Sequence, residues 1–597
     1  GFVVKRKWKH ASAPLSALLP YLAPQRWVFL LSIVFVVAQA LLYSLSPVIE
    51  GSVTTQLASD AADMAAGVPG AHIQFDRILP ILTTLLTLYL GKTACQAAAT
   101  ITLTNATQET MRALRSAVQK KIHALPVQYF DTHPYGDILS RITNDVDTLS
   151  SALQQTLLNI INGLSGIVLA ITMMFQLNAR LALIALIILP MALLITGIVV
   201  HFSQKQFAAQ QTAIGDLNAR VTELYTGYLE IVLYNKQEAV VKEFHAVNEK
   251  LRRCGFRAQF GSSLISPCIS LVTYLVIGTV ATLGALAALE GTLAVGSLQA
   301  FIRYIWQLND PLSQISQLSA QIQSAFAAAR RVTAFLSQEE EGIDAPGAKG
   351  LKKVRGEVTF EDVHFGYGSR EILHGLSFTA KPGQTVAIVG PTGAGKTTII
   401  NLLLRFYEIQ SGRILLDGHD IRSLPREDLR RAFGMVLQDT WLFSGSLLEN
   451  LRYGRPDAPL ADVISAAKGA NVHDFILSAG GYDALVNEEG DNISQGEKQL
   501  LTIARAVLLD PPVLFIDEAT SSVETRLEKR LQGRMQKMME GRTCLVIAHR
   551  LSTIRNADLI LVLRDGRIVE QGKHDELLKK DGAYAALYNA QFQGKEI

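Results

Sequence analysis

One segment of the sequence has the residue types and spacing needed to bind phosphate groups. Gly390–Thr397 reads Gly-Pro-Thr-Gly-Ala-Gly-Lys-Thr, which fits the pattern G-x-x-x-x-G-K-[ST]. The glycines allow backbone N–H groups to surround a β-phosphate, and the start of the following helix favours an anion. We expect Lys396 to reach the β- and γ-phosphates and Thr397 to give an oxygen to Mg²⁺. The predicted nucleotide contacts are Gly390, Pro391, Thr392, Gly393, Ala394, Gly395, Lys396, Thr397 and Thr398.

A second segment supplies acidic residues for a metal ion and for water. Val513–Glu518 is an apolar run that ends in Asp517 and Glu518. Mg²⁺ prefers oxygen ligands, and Asp517 is predicted to hold it through water. Glu518 is predicted to orient or deprotonate the attacking water. Such a pair can also cap a helix, but its place about 120 residues after a phosphate loop favours ATP hydrolysis.

Three further side chains are candidates to complete this site. Gln438 and His549 each follow a predicted strand, so each is expected to reach a γ-phosphate or the water that attacks it. Gln438 is also predicted to join Thr397 and Asp517 as a Mg²⁺ ligand. A lone histidine is more often structural, so the assignment of His549 depends on the neighbouring motifs. Tyr367, upstream of the phosphate loop, is predicted to stack on adenine.

The whole chain is too apolar for an ordinary soluble enzyme. Of its 597 residues 49% are hydrophobic and 18% are charged, and the mean hydropathy is +0.23. Soluble proteins carry about 25% charged residues. The 44 glycines and 19 prolines are too few for a fibrous or low-complexity chain. A net charge of +3 predicts no nucleic-acid partner, and four widely spaced cysteines predict neither disulfides nor a zinc site.

Long apolar runs predict a membrane half that ends near residue 335. A bilayer core of about 30 Å needs about 20 apolar residues in a helix, which five of the runs meet. The sixth run carries Arg303 and Asp310, so we expect it to face protein or a water-filled cavity. Candidate cavity residues, which helix packing explains equally well, are Tyr304, Trp306, Gln307 and Asp310. The six predicted spans are Trp27–Ile49, Ile78–Ala99, Leu157–Leu177, Leu181–Val200, Leu264–Leu289 and Val295–Ile322.

Loop charge predicts which ends of the spans face the cytoplasm. Lys5, Arg6, Lys7 and Lys9 lie at the N-terminus before the first span, whereas Gly51–Asp76 contains acids but neither lysine nor arginine. The positive-inside rule therefore predicts a multi-pass protein of the plasma or inner membrane, with the N-terminus and the nucleotide-binding half in the cytoplasm. The first span is long enough to cross the bilayer, which argues against a cleaved signal peptide; a transit peptide is the alternative.

The composition predicts a multi-domain fold. An all-α transmembrane domain of six helices covers 1–335, a polar linker covers 336–350, and an α/β P-loop nucleotide-binding domain with a largely parallel sheet covers 351–597. Unbroken helix between Pro80 and Pro126 would measure about 70 Å, which exceeds the bilayer by about 40 Å. The excess is expected in the cytoplasm as polar helix, chiefly Met111–Ala124 and Gln204–Arg253, with helices lying on the membrane surface as the alternative. The predicted strands are Val358–Phe360, Thr385–Val389, Met435–Leu437, Val513–Ile516, Thr543–Ala548 and Leu559–Leu563.

In order and spacing, these motifs resemble those of an ATP-binding cassette (ABC) exporter half-transporter. Asn492–Gln499 and Ser521–Glu524 stand where that family has its signature and its D-loop, and Phe130–Asp147 and Gly227–Glu238 resemble its two coupling regions. The resemblance implies that two chains pair head to tail, with each ATP between one chain's phosphate loop and the other's signature. The resemblance further implies that ATP closes the two nucleotide-binding domains and that hydrolysis reopens them. This motion would switch the membrane half between inward and outward access. The signature residues implied to contact the nucleotide are Ser494 and Gly496.

The resemblance leaves the cargo open. It implies an exporter of amphipathic drugs or lipids; the alternative within the same fold is an importer or a dedicated peptide or siderophore carrier. ATPases that serve DNA repair or translation carry similar cassettes, but the apolar spans argue against that class. The lipid bilayer and an amphipathic small molecule are therefore the expected non-protein partners.

The signature departs from the family's usual L-S-G-G-Q. It reads Ile493-Ser494-Gln495-Gly496-Glu497, so Gln495 adds bulk and Glu497 adds a negative charge near an anion. At about 6 Å and an effective dielectric near 20, the repulsion costs roughly 3 kcal/mol, about a hundredfold, if the carboxylate points inward. The D-loop has Glu524 where the family has aspartate. Because the phosphate-loop side is intact, we predict one half of a heterodimeric exporter, similar to bacterial two-subunit multidrug exporters; a homodimer is the alternative.

Overall fold

The structure is a computed structural model that describes residues 17–342, 344, 350–351, 353–368, 370–437, 440–487, 492–517, 535–547 and 554–592. The chain forms two compact units. The first comprises Gly1–Leu125 and His133–Gln338, and the second comprises Pro126–Thr132 and Glu339–Ile597.

Among its described residues, the first unit has helices and the turns that connect them but no strand. A 3₁₀ turn at Ala23–Gln25 precedes the first long helix, and a π-helical turn occupies Ala152–Thr156. In chain order the helices up to residue 336 are α1 (Arg26–Ala65), α2 (Phe75–Ala124), α3 (Val127–Thr132), α4 (Tyr135–Ile142), α5 (Asn144–Ser151), α6 (Leu157–Leu177), α7 (Ala179–Ala185), α8 (Ile188–Thr226), α9 (Tyr228–Leu233), α10 (Gln237–Ser263), α11 (Ile265–Leu289) and α12 (Val295–Leu336). Of these, α3 belongs to the second unit.

Within the described residues, five helical stretches are long and apolar enough to cross a membrane. They confirm five of the six predicted spans in length and composition. The sixth predicted run is also helical, as the first part of α12, but it is not among the five. Its charged and amide side chains lower its hydropathy. The five stretches are Ala17–Ala65, Phe75–Ala124, Tyr135–Leu177, Ala179–Thr226 and Gln237–Leu289.

Helices α1 and α12 approach so closely that their backbones touch. A Cβ atom on Gly51 would lie 2.2 Å from the carbonyl oxygen of Gly296, and one on Gly296 would lie 1.6 Å from that of Gly51. Small residues allow this approach, as is typical of helices packed in membranes. One turn along α1, the Thr55 hydroxyl accepts a hydrogen bond of 3.1 Å from the Gly296 N–H.

The side of α12 that packs on α1 favours one of the two interpretations of Tyr304. Tyr304 is fully buried, and its hydroxyl donates a hydrogen bond of 2.5 Å to the carbonyl oxygen of Ser44. Helix packing therefore explains Tyr304. Trp306 is 37% exposed and Arg303 is exposed, so these side chains lie on the open side of α12.

The spanning helices continue well beyond their apolar runs, as predicted. Helix α2 runs unbroken for 50 residues, about 75 Å at 1.5 Å per residue. The stretch predicted as polar helix over Gln204–Arg253 is divided into α8 and α10, which are linked by the short helix α9. The break uses Gly227 and Asn235, and Asn235 has a left-handed φ of 50°, which asparagine tolerates better than most residues.

The second unit contains a central sheet of six strands, ordered β12-β11-β3-β10-β9-β6. All pairs are parallel except β11 with β12, which confirms the predicted parallel sheet. The strands are β1 (Val358–Tyr367), β2 (Arg370–Ala380), β3 (Thr385–Val389), β4 (Ser411–Leu416), β5 (His419–Asp420), β6 (Phe433–Val436), β7 (Gly445–Ser446), β8 (Leu485–Val486), β9 (Val513–Asp517), β10 (Thr543–Ile547), β11 (Leu559–Arg564) and β12 (Arg567–Gly572).

A second, antiparallel sheet ordered β2-β1-β4-β5 was not predicted, and β7 pairs with β8. Buried apolar residues fill both sides of the central sheet, with one cluster between it and the antiparallel sheet and another beneath the remaining helices. The described helices of this part are α13 (Lys396–Leu403), α14 (Arg426–Arg431), α15 (Leu447–Arg452), α16 (Leu460–Gly469), α17 (His473–Ser478), α18 (Gln495–Leu509), α19 (His574–Lys579) and α20 (Ala583–Phe592).

The segment predicted as a linker is held on the second unit by charge. Helix α12 ends at Leu336, and Glu339 begins the second unit. Glu341 forms an ion pair with Arg430, and Asp344 accepts a hydrogen bond of 3.1 Å from a guanidinium nitrogen of Arg426. Two carboxylates of the linker thus bind arginines of α14.

Candidate nucleotide-binding site

The phosphate loop connects β3 to α13 and depends on three glycines. Gly390, Gly393 and Gly395 all have positive φ, and Gly395 adopts 98° as the residue before α13. A Cβ on Gly390 would lie 2.3 Å from the Leu563 carbonyl oxygen, and one on Gly395 would lie 2.8 Å from a Leu373 methyl carbon. Both close approaches are to neighbouring parts of the second unit. The sequence pattern therefore reflects backbone shape as well as ligand chemistry.

The loop places its exposed residues at the tip and buries its base. Pro391, Thr392 and Gly393 are exposed, whereas Ala394 and Gly395 are buried. No side chain caps α13, so no capping side chain accepts hydrogen bonds from the N–H groups of its first turn. This is the arrangement that binds phosphate at a helix N-terminus.

Lys396 is anchored within the loop. Its Nζ atom donates hydrogen bonds of 2.7 Å to the Gly390 carbonyl and 3.0 Å to the Pro391 carbonyl. Burial lowers the pKa of the Lys396 ammonium, and the Asp517 carboxylate opposes that shift. The two side chains named from separate motifs are therefore within electrostatic reach of each other.

The register of the sheet explains why Asp517 reaches the loop. Ile388 of β3 pairs with Ile547 of β10, which in turn pairs with Asp517 of β9. The three residues form one row at the carboxyl edge of parallel strands. This edge of an open α/β sheet is where ligands bind.

The oxygen atoms at this edge suit Mg²⁺. Thr397 is exposed in the first turn of α13, and Asp517 ends β9 within electrostatic reach of Lys396. A hydroxyl and a carboxylate are hard donors of the kind that Mg²⁺ takes alongside phosphate oxygens and water. Thr398 is only 6% exposed, so its side chain packs into the domain.

Tyr367 stands at the end of β1 with its ring held edge-on. Its ring centroid lies 5.0 Å from that of Phe365 and 5.0 Å from that of Tyr407, with interplanar angles of 85° and 88°. Its hydroxyl accepts a hydrogen bond of 3.3 Å from the Asn401 side chain on α13. The residue remains 40% exposed. A rigid, exposed aromatic face joined to the phosphate-loop helix can stack on a base.

Tyr407 is a residue of this site that the sequence did not reveal. Besides packing on Tyr367, its hydroxyl donates a hydrogen bond to the carboxylate of Asp131 in α3. Burial and that carboxylate both raise the pKa of Tyr407, so the hydroxyl stays a donor at neutral pH. The contact joins the predicted adenine platform to a helix from the predicted first coupling region. No sequence signal connects residues so far apart in the chain.

The signature segment forms the start of α18. Ser494 is the N-cap residue and is exposed, and Gly496 is buried in the first turn. Glu497 turns back on this cap, because its Oε2 accepts hydrogen bonds of 3.0 Å from the Ser494 N–H and 2.6 Å from the Ser494 hydroxyl. The Ser494 oxygen accepts one of 3.4 Å from the Glu497 N–H. This is a capping box, and the S-x-x-E pattern in the sequence was its signal.

Three predicted catalytic residues lie outside the described residues. Gln438, Glu518 and His549 follow β6, β9 and β10 respectively, and the structure describes each strand but not these residues. Ser521–Glu524 of the predicted D-loop lies outside them as well. The roles assigned to these residues stay predictions.

Comparisons with known proteins identify both halves of the chain. Residues 29–312 match the family model described as the ABC transporter transmembrane region, and residues 373–521 match the model described as ABC transporter. The two matches fall on the apolar helices and on the domain with the phosphate loop.

Relatives match over nearly the full length. A fatty acid ABC transporter ATP-binding/permease protein of Mycobacterium bovis is 44% identical over 534 residues, 89% of this chain and 84% of that protein. An ATP-dependent lipid A-core flippase of Nitrosococcus oceani is 33% identical over 584 residues, 96% of this chain and 95% of that protein.

The fold also matches a solved structure. A bacterial Atm1-family ABC exporter with ATP bound has a TM-score of 0.74 and 29% identity, covering 96% of this chain and 98% of that one. The apolar helices, the phosphate-loop domain and these relatives agree. This chain therefore belongs to the ABC transporter family and is an exporter half-transporter, an integral membrane protein that hydrolyses ATP.

Proposed function

We propose that this chain exports lipids or other amphipathic molecules from the cytoplasm, and that it does so as one half of a heterodimer. The lipid assignment is supported by two relatives, a fatty acid ABC transporter and a lipid A-core flippase. The observation that carries the heterodimer is the carboxylate of Glu497 in the capping box of the signature helix, where its Oε2 accepts a hydrogen bond of 2.6 Å from the Ser494 hydroxyl. A homodimeric lipid or drug exporter is the second candidate.

The phosphate-loop side of this chain would bind and hydrolyse ATP. Lys396 and the N–H groups of the loop would hold the phosphates, and Tyr367 would stack on the base. Thr397, Asp517 and Gln438 would hold Mg²⁺, which would neutralise phosphate charge. Glu518 would orient or deprotonate the attacking water, and His549 would contact the γ-phosphate.

The signature side would serve a phosphate poorly. The Ser494 hydroxyl donates to Glu497 and so is not free to donate to a γ-phosphate of a facing ATP. A carboxylate acceptor makes this a strong hydrogen bond that a ligand must break. The negative charge of Glu497 also repels the phosphate. A partner with an L-S-G-G-Q signature would complete the site on this chain's phosphate loop.

The test is the Mg²⁺-dependent ATPase activity of the chain purified alone in lipid nanodiscs. We expect little activity from the lone chain and a rise of about a hundredfold with a partner that has the usual signature. Glu518→Gln should then reduce hydrolysis by about 10² to 10⁴. Fast hydrolysis by the lone chain that Glu518→Gln abolishes would support the homodimer and contradict the heterodimer.

Transport is tested separately in proteoliposomes. ATP should move a fluorescent lipid analogue between leaflets, and Lys396→Ala should stop this movement. Hydrolysis without movement of any amphipathic compound would contradict the lipid assignment while leaving the ATPase activity intact.

A further inference from the structure

A cluster of charged and aromatic side chains joins three helices of the first unit. Tyr43 and Glu50 lie on α1, Tyr89 and Lys92 on α2, and Arg303 on α12. The Tyr89 hydroxyl donates a hydrogen bond of 2.5 Å to Glu50 Oε1. Arg303 donates to both oxygens of Glu50, at 3.2 Å from Nε and 3.4 Å from Nη2. The Lys92 ammonium lies 4.3 Å from the centroid of the Tyr43 ring.

The backbone fixes the spacing of this cluster. Gly51 follows Glu50 directly, and Gly296 is two helical turns before Arg303 on α12. These two glycines form the close contact between α1 and α12, which leaves no room for a Cβ atom on either. The distance between Glu50 and Arg303 is therefore set by the helix pair rather than by flexible loops.

The cluster carries more positive than negative charge. Arg303 and Lys92 supply two cations and Glu50 supplies one anion, so one positive charge is left over. The Arg303 side chain is 53% exposed, whereas that of Glu50 is 17% exposed. Among the described residues, Glu50 is the only hydrogen-bonding partner of the Arg303 guanidinium, and Lys92 has the Tyr43 ring but no carboxylate. Uncompensated charge on spanning helices is costly and usually marks a functional site.

Exposed aromatic rings lie one helical turn from Arg303. Trp306 is one turn beyond Arg303, and its ring packs edge-on against Tyr274 with centroids 5.4 Å apart. Both rings are exposed, at 37% and 58%. The surroundings combine a positive charge with apolar groups, which suits a molecule with an anionic head and an apolar chain.

We propose that Arg303 and Lys92 bind the anionic headgroup of an amphipathic lipid, with Glu50 as the internal anion that competes for Arg303. The proposal rests on the proposed function, since it names the head chemistry of an amphipathic substrate. A headgroup with one negative charge balances the cluster, and a carboxylate is its simplest form. The 44%-identical relative described as a fatty acid transporter is consistent with this chemistry.

The arrangement predicts opposite effects for the two members of the ion pair. Removing the charge of Glu50 frees Arg303 for the ligand, so Glu50→Gln should strengthen binding of an anionic lipid. Removing Arg303 eliminates the ligand's partner, so Arg303→Gln should weaken it. If the pair only stabilised helix packing, both variants would affect binding in the same direction.

The experiment measures equilibrium binding of radiolabelled oleate to the purified full-length chain in a neutral maltoside detergent. We expect Arg303→Gln and Lys92→Gln each to weaken oleate binding by about tenfold to a hundredfold, as for the loss of a charged hydrogen-bond donor. Glu50→Gln should strengthen it by about threefold to tenfold. Arg77→Gln is the matched control, because Arg77 is exposed on α2 outside the cluster, and it should change nothing.

Folding and ligand source are controlled in the same series. Lys92→Gln leaves the Glu50–Arg303 pair intact, so its effect does not depend on that pair's contribution to folding. Arg303→Lys keeps the charge and should retain most of the binding. Competition with phosphatidylglycerol and with oleyl alcohol separates a phosphate head, a carboxylate head and the apolar chain. Either anionic competitor acting through Arg303 supports the site.

Two results would overturn the proposal. One is oleate and phosphatidylglycerol binding that is unaffected by Arg303→Gln and Lys92→Gln. The other is weakening by Glu50→Gln equal to that by Arg303→Gln. Because binding is measured without ATP, failure here is distinct from failure of the proposed export, which would appear as absence of ATP-driven lipid movement in proteoliposomes.

Discussion

The nucleotide domain contains two helix N-termini that the family uses for phosphate, and they differ in how their N–H groups are occupied. Helix α13 begins after Gly395, with no side-chain cap. Helix α18 begins after Ser494, where Ser494 and Glu497 form a capping box. The first end has no side-chain acceptor for its N–H donors, whereas at the second the capping box occupies the N–H groups of Ser494 and Glu497 and adds a negative charge.

The comparison of α13 with α18 shows that a helix N-terminus can favour either ligand binding or the stability of its own helix. A capping box stabilises a helix by about 1 kcal/mol, and an uncapped end forgoes that gain. Helix α13 lacks this stabilisation, but a bound phosphate can accept hydrogen bonds from its first N–H groups. Helix α18 is stabilised by its own side chains instead. In the proposed heterodimer, one chain would therefore combine a strong phosphate site with a weak one.

The largest expected effect tests the uncapped N-terminus of α13. Lys396→Ala should weaken ATP binding by about a hundredfold or more, because a partly buried ammonium that donates to phosphate oxygens is lost. Affinity is measured by titration with a fluorescent ATP analogue. Lys381→Ala is the control, since Lys381 is an exposed lysine in the turn before β3. Equal affinities for the wild type and Lys396→Ala would remove the contrast between the two helix ends.

The next effect tests the capped end. Glu497→Gln keeps a side chain that can form the capping box but removes its charge, so the ATPase rate of the lone chain should rise by about tenfold to a hundredfold. Glu449→Gln is a close control, because Ser446 and Glu449 form the same box at α15. Both variants should unfold at similar temperatures. A rise for both, or for neither, would show that the charge of Glu497 is not what weakens the signature.

A smaller effect concerns the adenine side of the open site. Tyr407→Phe keeps the ring that packs on Tyr367 but loses the hydrogen bond to Asp131. ATP affinity should be unchanged, while stimulation of the ATPase by a transported lipid should fall about threefold to tenfold. Tyr453→Phe, in a ring stacked on Phe443, is the control. Loss of ATP affinity in Tyr407→Phe would assign Tyr407 to base binding instead.

The smallest effect is a pH dependence at Lys396. Burial lowers the pKa of this ammonium below 10.5, so it becomes neutral at a lower pH than an exposed lysine does. Because phosphate binding needs the cation, ATP affinity should fall as the pH rises, by about twofold to tenfold between pH 8 and 10. Titration of the analogue across this range measures it. Constant affinity up to pH 10.5 would contradict the burial of the charge.

The parts that the sequence predicted well are those with continuous apolar signal. Strand β3 has the predicted bounds, β9 and β11 differ by one residue at one end, and β10 matches the prediction over its described residues, because strands buried on both faces read as unbroken apolar runs. The phosphate loop follows from its glycines. The antiparallel sheet was missed because the strand-forming run at the start of β1 is only three residues long before Glu361 and Asp362 interrupt it.

Other features need the three-dimensional structure. The Tyr407–Asp131 hydrogen bond and the Glu50–Arg303 ion pair join residues far apart in the chain, so no local pattern predicts them. Burial of Tyr304 depends on which side of α12 packs on α1. The S-x-x-E pattern of Ser494–Glu497 is itself the sequence signal of a capping box, whereas the comparison with L-S-G-G-Q indicates only a charge near the ligand.

The inclusion of Pro126–Thr132 in the second unit bears on how that unit is made. During synthesis this short piece leaves the ribosome long before Glu339 and the residues after it, with several membrane helices between. Domains that are contiguous in the chain can fold as soon as they emerge. Here the second unit is complete only when the residues from Glu339 onward pack against Pro126–Thr132, which was synthesised earlier together with the membrane helices. A fragment that starts at Glu339 would lack Asp131 and leave the Tyr407 hydroxyl without its acceptor, so we expect such a fragment to be less stable than the same unit in the whole chain.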